Sequence, residues 1–141
     1  MLGTLGRVWQ ERRGFWLDVL PALLYLVVLF GFGMAPLKSL PGPDFALLDK
    51  VWHLLAFAAA TGLLARVALF LQQAPRRAAG IGALISCLLG ALLEGMQSLT
   101  RYRSAELADL VADALGALLA YAILIALAKA AELPRAAGGR T

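Results

Sequence analysis

Charge is what this chain has least of for its size. Of its 141 residues, 16% are Asp, Glu, Lys or Arg and 61% are hydrophobic, too little polar side chain to cover a water-facing surface on all sides. An ordinary soluble domain is thereby excluded. Cysteine occurs once, as Cys87, and histidine once, as His53, so the chain makes no intramolecular disulfide and contains neither a CxxC pair nor an HExxH helix. Cys87 lies in an apolar run and reads as a small buried thiol. There is no glycine-rich loop of the kind that cradles phosphate. The net charge of +4 does not point to nucleic acid, because the basic residues sit beside and between hydrophobic runs, where they act as topology signals.

What is present is hydrophobic sequence in long stretches. A bilayer core of about 30 Å needs roughly 20 apolar residues per helical span, and four such stretches fit this length. The reading is an all-α membrane protein with four transmembrane helices, spanning about 18–35, 48–71, 78–97 and 105–128 within a membrane domain of residues 17–128. Residues 1–16 carry Arg7, Arg12 and Arg13 interleaved with Leu5, Val8, Trp9, Phe15 and Trp16, the pattern of a short helix lying in the interface. Pro36, Pro41, Gly42 and Pro43 make a turn-rich first loop. QQAPRR, Gln72 to Arg77, is a tight second connection, and residues 129–141 are expected as a flexible tail.

Orientation follows from where the cations lie. Arg7, Arg12, Arg13, Arg66, Arg76, Arg77, Lys129, Arg135 and Arg140 would share one side, leaving Lys38, Lys50, Arg101 and Arg103 on the other. Basic residues accumulate in the cytoplasm, so both termini are expected inside. Arg66 lies close enough to the inner end of its span for its long side chain to reach the interface.

That topology gathers the remaining ionisable groups at the outer ends of three spans. Asp49, Lys50 and His53 head the second, Glu94 and Gln97 end the third, and Arg101, Arg103, Glu106, Asp109 and Asp113 open the fourth. Pairs three or four apart share a helix face, as with Asp49 and His53, Glu94 and Gln97, or Asp109 and Asp113. Gly82, Ser86 and Gly90 run in steps of four to Glu94, and Ala112, Gly116 and Ala120 form a second small-residue stripe. Such stripes let helix backbones approach closely.

These residues resemble the VanZ-like family of small bacterial membrane proteins, named after a protein associated with teicoplanin resistance. The resemblance rests on DKxxHxxxF at Asp49, Lys50, His53 and Phe57, on ExxQ at Glu94 and Gln97, and on R-x5-D-x3-[ND]-x2-G at Arg103, Asp109, Asp113 and Gly116. It covers roughly residues 49–120. Many relatives carry Pro-Gly before the arginine and Asn in place of Asp113; here Arg101 and Tyr102 precede it, and spacing favours Arg103 as the family arginine. The resemblance implies a multi-pass protein of the bacterial cytoplasmic membrane, a role in the cell envelope, and a link to glycopeptide resistance.

Intramembrane ionisable groups are costly and mark function by default, although a polar clamp that only staples three helices would use similar groups. The leading expectation is an outward-facing charged pocket that binds an amphiphile, either a membrane lipid, a lipid-linked cell-wall precursor or a lipoglycopeptide. Asp49, Lys50, Gln97, Arg101, Arg103 and Asp109 would be its ligand-binding residues. An alternative is an enzyme acting on a lipid head group, with His53 as base or nucleophile, Asp113 or Asp49 as its orienter, Glu94 as proton donor and Arg103 stabilising developing charge. A structural or assembly subunit docking through its small-residue stripes is the third. A lone histidine at a helix head is expected as a hydrogen-bonding partner, so neither a metal nor another cofactor is assigned, although Glu94, Asp109 and Asp113 beside it are residue types that bind metals. No broken helix or polar path through the inner leaflet suggests a transporter.

The charge count generates the first test. In a Cys87→Ala background, Lys38→Cys should react with a membrane-impermeant maleimide added to intact cells and Arg140→Cys should not; the reverse labelling would overturn the orientation.

Overall fold

The computed structural model describes residues 13–35, 43–101 and 106–137, without the side chains of 43–46 and 132–137. The interfacial helix expected before residue 13, most of the first loop, and Arg103 lie outside the described residues. Every regular element among them is a helix. A π-helical turn, Phe15–Val19, leads into α1, Leu20–Gly33; α2 is Pro43–Phe70, α3 is Pro75–Ser98 and α4 is Leu107–Ala137. Four stretches, Phe15–Gly33, Leu47–Phe70, Pro75–Ser98 and Leu107–Ala131, are long and apolar enough to cross a membrane. Helical backbone in α4 continues through the stretch from Lys129 to Ala137.

The π-helical turn has a local cause. Proline within a helix cannot donate to the carbonyl four residues back and its ring crowds that carbonyl, which for Pro21 is Leu17. The chain widens, so that Leu20 N–H donates to Phe15 O, five residues back. Arg66 Nη2 approaches the carbonyl of Leu17 at 3.4 Å and donates to Asp18 Oδ1 at 2.6 Å, while its Nε donates to the same oxygen at 2.9 Å. Position alone predicts that Arg66 reaches for the interface; its side chain is 58% exposed, and its anchor is Asp18 on the first span.

At the α2–α3 connection the end of α2 is sealed by two backbone bonds, Gln73 N–H to Ala68 O and Gln72 N–H to Leu69 O. This is the Schellman pattern, with Gln72 in the left-handed region at φ 63° where glycine is usual. Ala74 is then extended and Pro75 starts α3, as a residue before proline prefers.

Helices α2, α3 and α4 pack on one another, and α1 lies outside that trio against α2. Only Ala22 is buried in α1. Packing in the trio is made by small residues: Gly82, Ser86, Gly90, Ala112, Gly116 and Ala120 are all buried. A Cβ on Gly82 would stand 2.6 Å from Thr61 O, and one on Gly116 would run into the carbonyl of Leu54. The Phe57 carbonyl accepts from Thr61 Oγ1 within α2 and from Ser86 Oγ of α3, at 2.9 and 3.1 Å. Large apolar side chains such as Leu84, Leu88, Leu115 and Leu119 point outward and are exposed, the inverse of a soluble core and the arrangement that lipid solvates.

Overpacking a helix contact costs about 1–3 kcal/mol, whereas replacing an unhindered helical glycine gains roughly 0.5–1 kcal/mol. Gly116→Ala should therefore lower the unfolding temperature in detergent, and Gly80→Ala, whose Cβ would meet nothing within 4 Å, should hold or raise it.

Candidate functional site

The start of α2, the end of α3 and the start of α4 meet at one end of the bundle, and each brings its polar residues there. His53 lies one turn after Asp49 on α2, and its Nδ1 is 2.8 Å from Asp113 Oδ1 on α4. Its other nitrogen, Nε2, is 4.0 Å from Asp109 Oδ2. The imidazole thus faces two carboxylates that stand one turn apart on the same helix face. Asp113 is fully buried and Asp109 is 5% exposed.

Lys50 joins α2 to α4 nearer the surface. Its Nζ lies 2.7 Å from Glu106 Oε2, 2.5 Å from Asp109 Oδ1 and 3.8 Å from Asp49 Oδ2. The contact to Asp109 Oδ1 is an ion pair. Three carboxylates therefore share one ammonium. Lys50 is accordingly engaged by the protein's own carboxylates.

Glu94, at the end of α3, caps α4. Glu106 immediately precedes Leu107, and its carbonyl accepts from Asp109 N–H at 3.0 Å, which makes it the residue that opens the helix. Its own N–H donates to Glu94 Oε2 at 3.0 Å. In a capping box that donor is met by a glutamate of the same helix; here a neighbouring helix supplies it, placing an anion at the positive end of α4. Gln97, 1% exposed, donates through Nε2 to Gly33 O at 2.8 Å, so it closes the end of α1. Spacing places Gln97 with Glu94 but contains no signal for this partner. Arg101 is exposed just past the end of α3.

Two oxygens in the cluster remain without a hydrogen-bond partner among the described residues, Glu94 Oε1 and Asp113 Oδ2. Gly90 makes the room for Asp113, since a Cβ there would stand 2.9 Å from Oδ2. Asp49, Lys50, His53, Glu94, Glu106, Asp109 and Asp113 are thus joined directly or through one another at this end, whereas the Gln97 side chain turns to α1.

Beside the cluster lies a cleft that the charge pattern does not predict. It is about 560 Å³ in volume and is walled by Tyr25, Val28, Leu29, Phe32 and Gly33 of α1, Leu48 to Phe57 positions of α2, and Leu93 of α3. Its lining is apolar except at Asp49, His53 and Tyr25, and Tyr25 is occupied in donating to Ala56 O at 2.8 Å. Val28, Phe32, Leu48 and Trp52 at its edges are each at least 50% exposed, so the cleft opens sideways between α1 and α2. The pocket expected from sequence is charged and walled by α2, α3 and α4; the cleft is greasy, and α1 forms one wall.

Removing the imidazole leaves Asp113 buried without its partner, a change that costs about 3 kcal/mol or more. His53→Ala should be destabilising by that order in reversible unfolding in detergent, and His53→Ala/Asp113→Ala should recover part of the loss; a double variant no better than the single would contradict the pairing.

A family model described as VanZ/LLP1 matches residues 2–128, which takes in the first span as well as the three that carry the motif residues. No curated protein and no solved structure matches the chain. With nearly the whole membrane domain covered by that match, the protein belongs to the VanZ/LLP1 family.

Proposed function

We propose that this protein binds an amphiphile from the bilayer, with the apolar chain in the cleft between α1 and α2 and the head group at Asp49 and His53. The observation that carries this reading is the cleft's composition and direction: apolar walls, a lateral opening, and polar groups at a single place in the lining. A volume of about 560 Å³ falls in the range of small-molecule sites, roughly 300–1,000 Å³. A lateral opening admits a ligand already dissolved in lipid without passing it through water.

The head group is constrained by charge. Five carboxylates, Asp49, Glu94, Glu106, Asp109 and Asp113, surround one lysine and one histidine, and Lys50 is engaged by three of them. An amine-bearing or hydrogen-bond-donating head group suits Asp49 better than a bare anion does. A lipid, a lipid-linked cell-wall precursor and a lipoglycopeptide all combine an apolar chain with such donors, in keeping with a role at the bacterial cytoplasmic membrane, in the cell envelope and in glycopeptide resistance. The proposed orientation puts this end of the bundle on the outer face.

A second reading, an enzyme acting on a lipid head group, draws on the His53–Asp113 pair, because an imidazole held by a carboxylate is the arrangement of an oriented general base. Turnover of a phospholipid or undecaprenyl substrate, abolished by His53→Gln, would favour it over simple binding.

Ala56→Phe would fill the cleft, and Leu118→Phe, on an exposed face, would not. In native mass spectrometry of protein released from lipid nanodiscs, Ala56→Phe should lower the retained amphiphile about tenfold, the equivalent of about 1.4 kcal/mol, and Leu118→Phe should leave it unchanged. Equal retention in both variants would sink the cleft as the binding site.

A further inference from the structure

We propose that His53, Glu94 and Asp113 form a binding site for a divalent transition-metal cation, held between α2, α3 and α4. One ligand atom from each residue lies within 4.8 Å of the other two. Two of the three are carboxylates removed from solvent, Glu94 at 6% and Asp113 at 0% exposure. Each has an oxygen, Glu94 Oε1 and Asp113 Oδ2, that no described group bonds.

Buried carboxylate oxygens without partners are expensive, because desolvation is not repaid. Lys50 does not relieve these two, since its contacts are with Asp49, Glu106 and Asp109. With a neutral imidazole the three side chains carry two negative charges, and a divalent cation cancels them. Metal–nitrogen and metal–oxygen bonds of about 2.0–2.2 Å would draw the ligand atoms inward, a movement that the glutamate rotamers of a helix end allow. Imidazole in the set favours zinc, manganese, iron or cobalt over magnesium and calcium, which prefer all-oxygen shells.

The surrounding bonds have the form of a supporting shell. His53 Nδ1 faces Asp113, and Nε2 faces Asp109 at 4.0 Å; binding through Nδ1 leaves Nε2–H for Asp109, a carboxylate that orients a metal-bound histidine. Glu106 N–H holds Glu94 by Oε2 and leaves Oε1 for the ion. On binding, the cation takes the place of the proton between His53 Nδ1 and Asp113: from the imidazolium that proton is released to solvent and Nε2–H remains, and from the neutral Nδ1–H form it passes to Nε2 with no net release. The inference rests on the buried carboxylates and not on the cleft, although His53 takes part in both.

The test uses the full chain in detergent, stripped with EDTA and titrated with Co²⁺ alone, without added amphiphile. The expected result is a visible d–d absorption band that saturates at a single ion per chain, with an EDTA-reversible rise in unfolding temperature. Glu94→Gln and Asp113→Asn should each weaken half-saturation by more than about a hundredfold, and Asp109→Asn by about tenfold. If Asp113→Asn fails to fold, the wild-type titration and Glu94→Gln decide the matter. Absence of a saturable band, the same band in Glu94→Gln, or displacement of Co²⁺ by equimolar Ca²⁺ would each overturn the site.

Discussion

The contact between His53 and Asp113 is the constraint on which the arrangement of α2, α3 and α4 depends. A carboxylate with no exposure at all is tolerated in an apolar bundle only if something meets it at hydrogen-bonding distance. That requirement fixes how near α2 and α4 come and in what register. Gly116, less than one turn from Asp113, lets the α4 backbone close onto the carbonyl of Leu54, the residue after His53. Gly90 clears the space on α3 into which the Asp113 carboxylate fits. The glycines and the polar pair are two aspects of one contact, because a side chain at Gly116 would push α4 off the α2 backbone that carries His53, and one at Gly90 would displace the Asp113 carboxylate itself.

The two ends of the bundle solve the problem of charge differently. At one end Arg66 pairs with Asp18, and the same arginine covers a carbonyl that Pro21 cannot engage. At the other, Asp49, Glu94, Glu106, Asp109 and Asp113 surround Lys50 and His53, and they are distributed by depth. Lys50 and Glu106 lie near the surface, while Asp113 and Glu94 lie behind His53. Between the ends the helices touch through Gly, Ala, Ser and Thr, and the side chains of Thr61 and Ser86 both donate to the Phe57 carbonyl. Polar interactions thus set register at the extremities and small residues set distance along the length.

Much of this was readable from residue types and spacing. Four apolar runs gave four helices, and steps of four from Gly82 to Glu94 marked the face of α3 that is buried. Spacing along one helix identifies a shared face but not the neighbour that face meets, so the pairing of Gln97 with Gly33 and the capping of α4 by Glu94 had no sequence signal. The role of α1 was hidden for a related reason. Its residues are apolar on every side, so no periodicity distinguishes the wall of the cleft from the surface in contact with lipid. Asp18 has no sequence signal of its own, because an acid at the start of an apolar stretch looks like a flank; only the turn forced by Pro21 shows why it is needed beside Arg66.

His53 belongs to both regions at once. It lines the cleft, and its nitrogens face Asp109 and Asp113. Whatever occupies the cleft and touches this ring therefore acts on the same group that balances the buried acids. By linkage, a ligand that prefers one charge state of the imidazole changes the free energy of neutralising Asp113, and neutralising Asp113 changes the affinity for that ligand by the same factor. On the proposed reading the acids are consequently more than a staple placed beside the cleft, since the single histidine belongs to both.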